Sequence, residues 1–105
     1  MGYVYLIEDT NNNIYKIGVT KNLKKRLQNL QTGNSNQISI KYTYETEYPF
    51  RIEQMLHNKF NKYKELNEWY NLPKSIVSNF YEYCEQFSDI INSLKTNPYF
   101  QKKLK

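Results

Sequence analysis

Apolar residues recur along this chain with two periods, first two and then about three and a half. Tyr3 to Ile7 and Ile14 to Val19 are short β-prone runs. Between them lies Asp9-Thr10-Asn11-Asn12-Asn13, residues that tolerate left-handed conformations and bond their own backbone. The pattern predicts a hairpin. Alternation puts Tyr3, Tyr5 and Ile7 on one face of the first strand, with Val4 and Leu6 on the other. On the second strand it sets Lys16 and Gly18 opposite to Tyr15, Ile17 and Val19. A lysine in the middle of a half-buried strand is out of place as mere filler.

Helical spacing takes over after Thr20 or Asn22, either of which suits an N-cap. Leu23, Leu27 and Leu30 share one face, and Gln31-Thr32-Gly33-Asn34 supplies a stop. Arg26 falls about 60° from that apolar stripe and Lys25 on the far side. Past the polar Asn34-Ser35-Asn36-Gln37, Ile38, Ile40, Tyr42 and Tyr44 alternate with Ser39, Lys41 and Thr43, predicting a third strand over 38–44. Three strands with a helix over one face are the minimum for a stable sheet.

Glu45 to Pro49 breaks that strand, and Pro49 fits the first turn of a helix over 50–63 with Ile52, Met55, Leu56, Phe60 and Tyr63 on its apolar side. Glu53 and His57 stand one turn apart at the border of that side. Lys64 to Pro73 reads as a loop with a short extended piece pinned by Trp69. From Ser75 to Leu94, Ile76, Val77, Phe80, Cys84, Phe87, Ile91 and Leu94 keep helical period, with Glu82, Glu85 and Asp89 on an acidic outer side. Thr96-Asn97-Pro98 stops this helix before a basic tail. The expected fold is α+β: a small three-stranded antiparallel sheet flanked by helices, with residues 1–73 as the main body and 74–105 as a C-terminal helix and tail packed on the same domain.

Composition narrows the function classes. The chain has 105 residues, enough for one modest core. Eleven Tyr within 16% aromatics mean that the core is built largely from rings. Fifteen Lys and Arg against ten Asp and Glu give a net charge of +5. Lys16, Lys21, Lys24, Lys25, Arg26 and Lys41 fall between Asn11 and Tyr44 without an acidic residue among them. A field of that kind suits a nucleic acid backbone, the plainer reading being a solvated face kept for solubility. Cys84 is the only cysteine, so neither an intramolecular disulfide nor a cysteine-rich zinc site can form. With no signal peptide, lipidation motif or long apolar run, the expectation is an intracellular, cytoplasmic protein without a membrane partner. The abundance of Asn, Lys, Tyr and Ile fits an AT-rich coding sequence such as that of a virus, a phage or a low-GC bacterium.

The order of strand with Tyr5, turn, Lys16-Ile17-Gly18 and helix with Arg26 resembles the GIY-YIG nuclease superfamily, closest to the compact phage and viral branch whose second motif reads Lys-Ile-Gly. Ile52-Glu53-Gln54-Met55-Leu56-His57 resembles that branch's glutamate helix, and Glu68-Trp69-Tyr70 its usual close. Four ordered motifs over roughly residues 3 to 72 are more specific than any one alone. The resemblance implies a divalent-metal-dependent DNA endonuclease leaving a 5′-phosphate. Tyr5 would help to activate water, Arg26 would neutralise the phosphate, and Glu53 would hold Mg²⁺ or Mn²⁺. A phenol of pKa about 10 is a poor base at neutral pH, and a neighbouring cation such as Lys16 favours its ionised form. His57 would bond the phosphate, relay a proton or join the metal shell.

Two departures stand out: Tyr3 replaces the family's glycine, and Lys16 stands where most members have tyrosine. Lys16 is either a functional substitute or a sign that proton transfers are organised differently. Lys21, Lys24, Lys25 and Lys41 are the candidate backbone contacts, and with no appended domain the expectation is weak sequence specificity, recognition of a DNA structure, or dependence on a homodimer or a targeting protein. The alternative is an inactive GIY-YIG-like module binding nucleic acid or protein. Each residue also has a structural reading: Tyr5 as sheet filler, Glu53 as a helix-surface acid, His57 as a partly buried histidine, Gly18, Glu68 and Trp69 as scaffold.

Overall fold

The computed structural model describes residues 1–33, 37–65 and 69–95. The polar loop at 34–36, Glu68 and the stop and basic tail from Thr96 onward lie outside the described residues. Strands β1 (Gly2–Asp9) and β2 (Ile14–Thr20) form the hairpin, helix α1 (Leu23–Thr32) follows, and β3 (Ile38–Thr46) returns to the sheet. The order β2-β1-β3 is antiparallel throughout, so the first strand is central and β2 is an edge. Helix α2 (Pro49–Lys59), a 3₁₀ turn (Asn61–Tyr63), α3 (Lys74–Ser78) and α4 (Phe80–Lys95) complete the chain. The expected α+β class with a three-stranded antiparallel sheet is what the structure has.

Local chemistry fixes the connections. The buried Asp9 carboxylate accepts from the backbone N–H of Asn11 and Asn12 at 3.0 and 3.3 Å and from the Asn12 side chain at 3.1 Å. Asn13 closes the turn at φ 54, a left-handed conformation that asparagine adopts more readily than most residues. Asn22, one of the two candidate caps, accepts from the Lys25 N–H at 3.0 Å, satisfying an orphan donor of α1. Pro49 occupies the first turn of α2, as its fixed φ favours.

The two faces of the sheet bury different sets. Val4, Leu6, Tyr15, Ile17 and Tyr44 pack on one side with Ile52, Leu56 and Phe60 of α2 and Phe80, Cys84 and Ile91 of α4. Tyr5, Ile7 and Ile38 form a smaller cluster on the other side, under Leu23, Leu27 and Leu30 of α1. Aromatic packing is prominent in the larger core: Tyr42 stacks on Phe80, and Phe60 meets Tyr83 edge-on with centroids 5.2 Å apart.

Three boundaries differ from the sequence expectation. Strand β3 continues through Thr46, because Glu45 and Thr46 still pair with Tyr3 and Gly2. The helix expected over 50–63 ends at Lys59, after which the backbone tightens to a 3₁₀ turn. The helix expected over 75–94 is two helices broken at Asn79, whose N–H bonds the carbonyls of Ile76 and Val77. Ser78 and Asn79 compete for backbone hydrogen bonds and weaken the helix there, while the apolar spacing from Val77 to Phe80 survives the break.

Burial pushes the Cys84 thiol up to about 12. Burial, opposed by a hydrogen bond with Ser88 and reinforced by Glu85, raises the Tyr44 hydroxyl to about 12 as well. Its hydroxyl donates to Glu85 Oε2 at 2.8 Å. The fold favours the neutral form of both acids, so the stability linked to them is complete below the ordinary values of 9.0 and 10.0 and is lost as pH rises toward 12. Denaturant midpoints across that range are expected to fall steadily, with Cys84 resisting thiol reagents at neutral pH until the chain unfolds.

Candidate active site at the edge of the sheet

Tyr5 stands in the central strand directly opposite Gly18 of β2, both on the face covered by α1. Its ring lies across β2 at that glycine: a Cβ built on Gly18 would collide with the Tyr5 hydroxyl and Cζ. Any other residue at 18 would close the passage. The phenol, only 3% exposed, therefore carries its oxygen from the middle of the sheet to above the edge strand. Lys16 is the next residue of β2 on that face, opposite Ile7 and half-buried. Tyr15 faces the other way, is buried, and donates to Glu8 Oε2 at 3.0 Å; burial and then Glu8 raise its pKa. It cannot stand in for Lys16, as alternation requires.

The outer edge of β2 supplies the second half of the arrangement. Tyr15 exchanges backbone hydrogen bonds with Tyr70, at 2.8 Å through its N–H and 2.7 Å through its carbonyl. Its backbone groups therefore point away from β1, and those of Ile17 and Val19 do the same by alternation. The Ile17 carbonyl is bonded by Nε2 of His57 at 3.0 Å. A carbonyl only accepts, so Nε2 carries the hydrogen and, in the neutral ring, Nδ1 is left as the acceptor. The imidazole also stacks on Tyr70 with centroids 5.7 Å apart.

Glu53 follows from the same helix. Pro49 begins α2 beside Gly2 and the Thr20 carbonyl, since a Cβ on Gly2 would sit 3.0 Å from the proline ring and 3.5 Å from that oxygen. His57 lies at Ile17, so α2 runs back along β2 in the opposite direction. Four helical residues rise about 6 Å, close to two strand residues. Glu53, half-buried and in the same column as His57, is thus level with Val19 along the edge, next to the glycine over which the Tyr5 hydroxyl lies. Tyr5 at Gly18 and His57 at the Ile17 carbonyl are thus one strand residue apart along β2, with Lys16 on the Tyr5 face beside them and Glu53 one turn before His57 on α2.

Arg26 is exposed on α1, as are Lys21, Lys24 and Lys25. These four make a basic shoulder beside the Tyr5 face. Lys41 does not join it. The register slips between Leu6 and Ile7, Tyr42 pairing with the first and Ile40 with the second, so Lys41 is the extra residue of a β-bulge. It lines a cleft with Glu8, Tyr15, Tyr42 and Val77 on the opposite face. Simple alternation could not foresee the bulge, and Lys41, a candidate backbone contact from the sequence, stands on a different face from Lys21, Lys24 and Lys25. Trp69 packs against the Tyr5 cluster, in keeping with its structural reading. The pairing of Tyr70 with Tyr15 and the tether from His57 to Ile17 were not readable from sequence; the aromatic Trp69-Tyr70 pair was the only signal.

Among the described residues no three His, Cys, Asp or Glu side chains cluster as a metal cage. A lone carboxylate at a solvent margin is a poor donor set for Zn²⁺ but fits Mg²⁺ or Mn²⁺, which keep several waters and share phosphate oxygens. Nor is any described helix long and apolar enough to cross a membrane.

The model of the T5orf172 domain, a family associated with GIY-YIG-like domains of phage nuclease type, matches residues 2–88. No curated protein and no solved structure gives a significant match.

Replacing His57 by Phe keeps a ring against Tyr70 but leaves the Ile17 carbonyl without its donor. Urea denaturation is expected to show a loss of about 1–3 kcal/mol, partly restored by Gln, which can still donate. A long-range ¹H–¹⁵N spectrum of the neutral ring should show the Nε2–H tautomer.

Proposed function

Because the chain belongs to the T5orf172 domain family, we propose that it is a divalent-metal-dependent DNA endonuclease with weak intrinsic sequence specificity, hydrolysing phosphodiesters to 5′-phosphate and 3′-hydroxyl ends. The observation that carries this reading is the passage of Tyr5 over Gly18, which delivers a phenol oxygen to the strand edge that α2 lines with Glu53 and His57.

Hydrolysis requires a water oxygen to attack phosphorus, a proton to leave that water, and the P–O3′ bond to break with a proton reaching the departing alkoxide. Tyr5 is the group that accepts the proton from water or orients it, with the Lys16 ammonium on the same strand face. Arg26 extends from α1 to hold a non-bridging phosphate oxygen through its planar fork of donors. Glu53 would ligate Mg²⁺ or Mn²⁺, which when bound supplies positive charge to the phosphate oxygens. His57 keeps Nε2–H on the Ile17 carbonyl, so its part is to fix α2 against β2 and to offer the Nδ1 lone pair to a proton. That assignment narrows the three roles open to it from sequence.

Lys21, Lys24 and Lys25 would hold the flanking backbone by charge, contacts that position a duplex without reading its bases. So small a domain has little surface for groove reading, and sequence preference would come from a second copy or a targeting protein.

Plasmid cleavage in Mg²⁺ or Mn²⁺ tests the proposal. Glu53→Gln and Tyr5→Phe are each expected to slow cutting by about 10² or more while affinity for DNA measured in EDTA is retained. Cutting that persists undiminished in Glu53→Gln contradicts it. DNA binding by the wild type without cutting in either metal would instead favour the noncatalytic module.

A further inference from the structure

Helix α2 presents one more residue on the column of Glu53 and His57. Phe50 precedes Glu53 by three positions and His57 by seven, so the three side chains lie within about 60° of one another on the helix surface. It is 70% exposed, whereas Phe60 and Phe80 are fully buried and Phe87 is partly covered. Among the described residues it is the one exposed phenylalanine. Its backbone is held firmly: Pro49 beside it rests on Gly2, and the Thr20 carbonyl that leads into the basic Lys21 touches the same glycine. An aromatic face thus stands in water on a rigid first turn, next to Arg51, across from the start of the α1 basic shoulder and about one helical turn from the candidate carboxylate.

We infer that Phe50 is a stacking platform for an unstacked nucleobase of a strand whose backbone runs along the basic shoulder, so that the substrate is a single strand or a duplex discontinuity such as a branch, flap or bulge rather than uninterrupted duplex. This inference rests on the nuclease reading. Its chemistry is complementary on both counts: Arg51 beside it and the lysines that follow Thr20 would meet the backbone, and a ring with an open face meets the base, which offers a π-surface whatever its identity. In continuous B-form DNA the bases are stacked on one another, and a ring at this position would have only sugar and phosphate to touch. The preference arises from an apolar contact, so it survives salt that weakens the lysine contacts.

The test measures binding of the full chain in EDTA, by fluorescence anisotropy, to a labelled single-stranded deoxyoligonucleotide and to the same strand in a perfect duplex. Phe50→Ala is expected to weaken single-strand binding by about 5- to 100-fold, to leave duplex binding within about twofold, and to leave the slope of affinity against salt unchanged. Phe50→Trp should restore the single-strand affinity. A loss of less than twofold on the single strand, or equal losses on both probes, overturns the inference, while the nuclease reading stands if the wild type still cuts DNA with metal. If the wild type neither binds nor cuts either probe, both fall. Because Phe50 is exposed, its substitution should leave the thermal midpoint in place, which checks that any loss is local.

Discussion

The structure turns on one missing methyl group. The central strand of a three-stranded sheet is the best-buried place for a residue and the worst for chemistry, because its side chains are enclosed by neighbours and by the covering helix. Tyr5, itself buried, reaches across to the edge strand only because β2 has a glycine directly opposite it. Its ring spends the apolar part of its length in the cluster under Leu23, Leu27 and Leu30, and its oxygen lies over Gly18 of the edge strand. A rigid position and closeness to the edge strand are obtained together, a combination that a tyrosine on a loop would not provide.

Edge strands invite pairing with other chains, and β2 is covered in a particular way. Tyr70 takes the backbone of Tyr15, and His57 takes the carbonyl of Ile17. At its far end, the Thr20 carbonyl lies near the start of α2 at Pro49. The groups that protect the sheet are therefore the same ones that set the distance between α2 and β2, and hence between the carboxylate and the phenol. Lys16 and Gly18 lie on the Tyr5 face of this strand while Tyr15, Ile17 and Val19 anchor the opposite face in the main core. Period-two alternation lets one short strand serve the core and the candidate site at once.

Much of this was legible in the sequence. The hairpin, the Asn22 cap, the Pro49 helix start and the sorting of Lys16 away from Tyr15 all follow from local rules that operate within a few residues. Gly18 could be read as conformational, but its partner could not, because cross-strand register is set by the whole sheet. The bulge at Lys41, which leaves Ile38 and Ile40 in the Tyr5 cluster and sends Tyr42 and Tyr44 to the main core, and the break at Asn79 escaped for a related reason: each leaves the apolar periodicity intact on both sides. The His57 tether depends on the docking of α2 along β2, a tertiary fact with no local signature.

The most direct measurement of the central claim is a double-mutant stability cycle between positions 5 and 18. In the native background, Gly18→Ala should cost about 1–3 kcal/mol, since the added methyl must displace the phenol from a packed cluster. In a Tyr5→Leu background, whose shorter side chain stops before the edge strand, the same change should be neutral or stabilising by up to about 1 kcal/mol, as for an alanine replacing glycine in a strand. Equal effects of Gly18→Ala in the two backgrounds would mean that Tyr5 does not cross at Gly18, and the account of the site would be wrong.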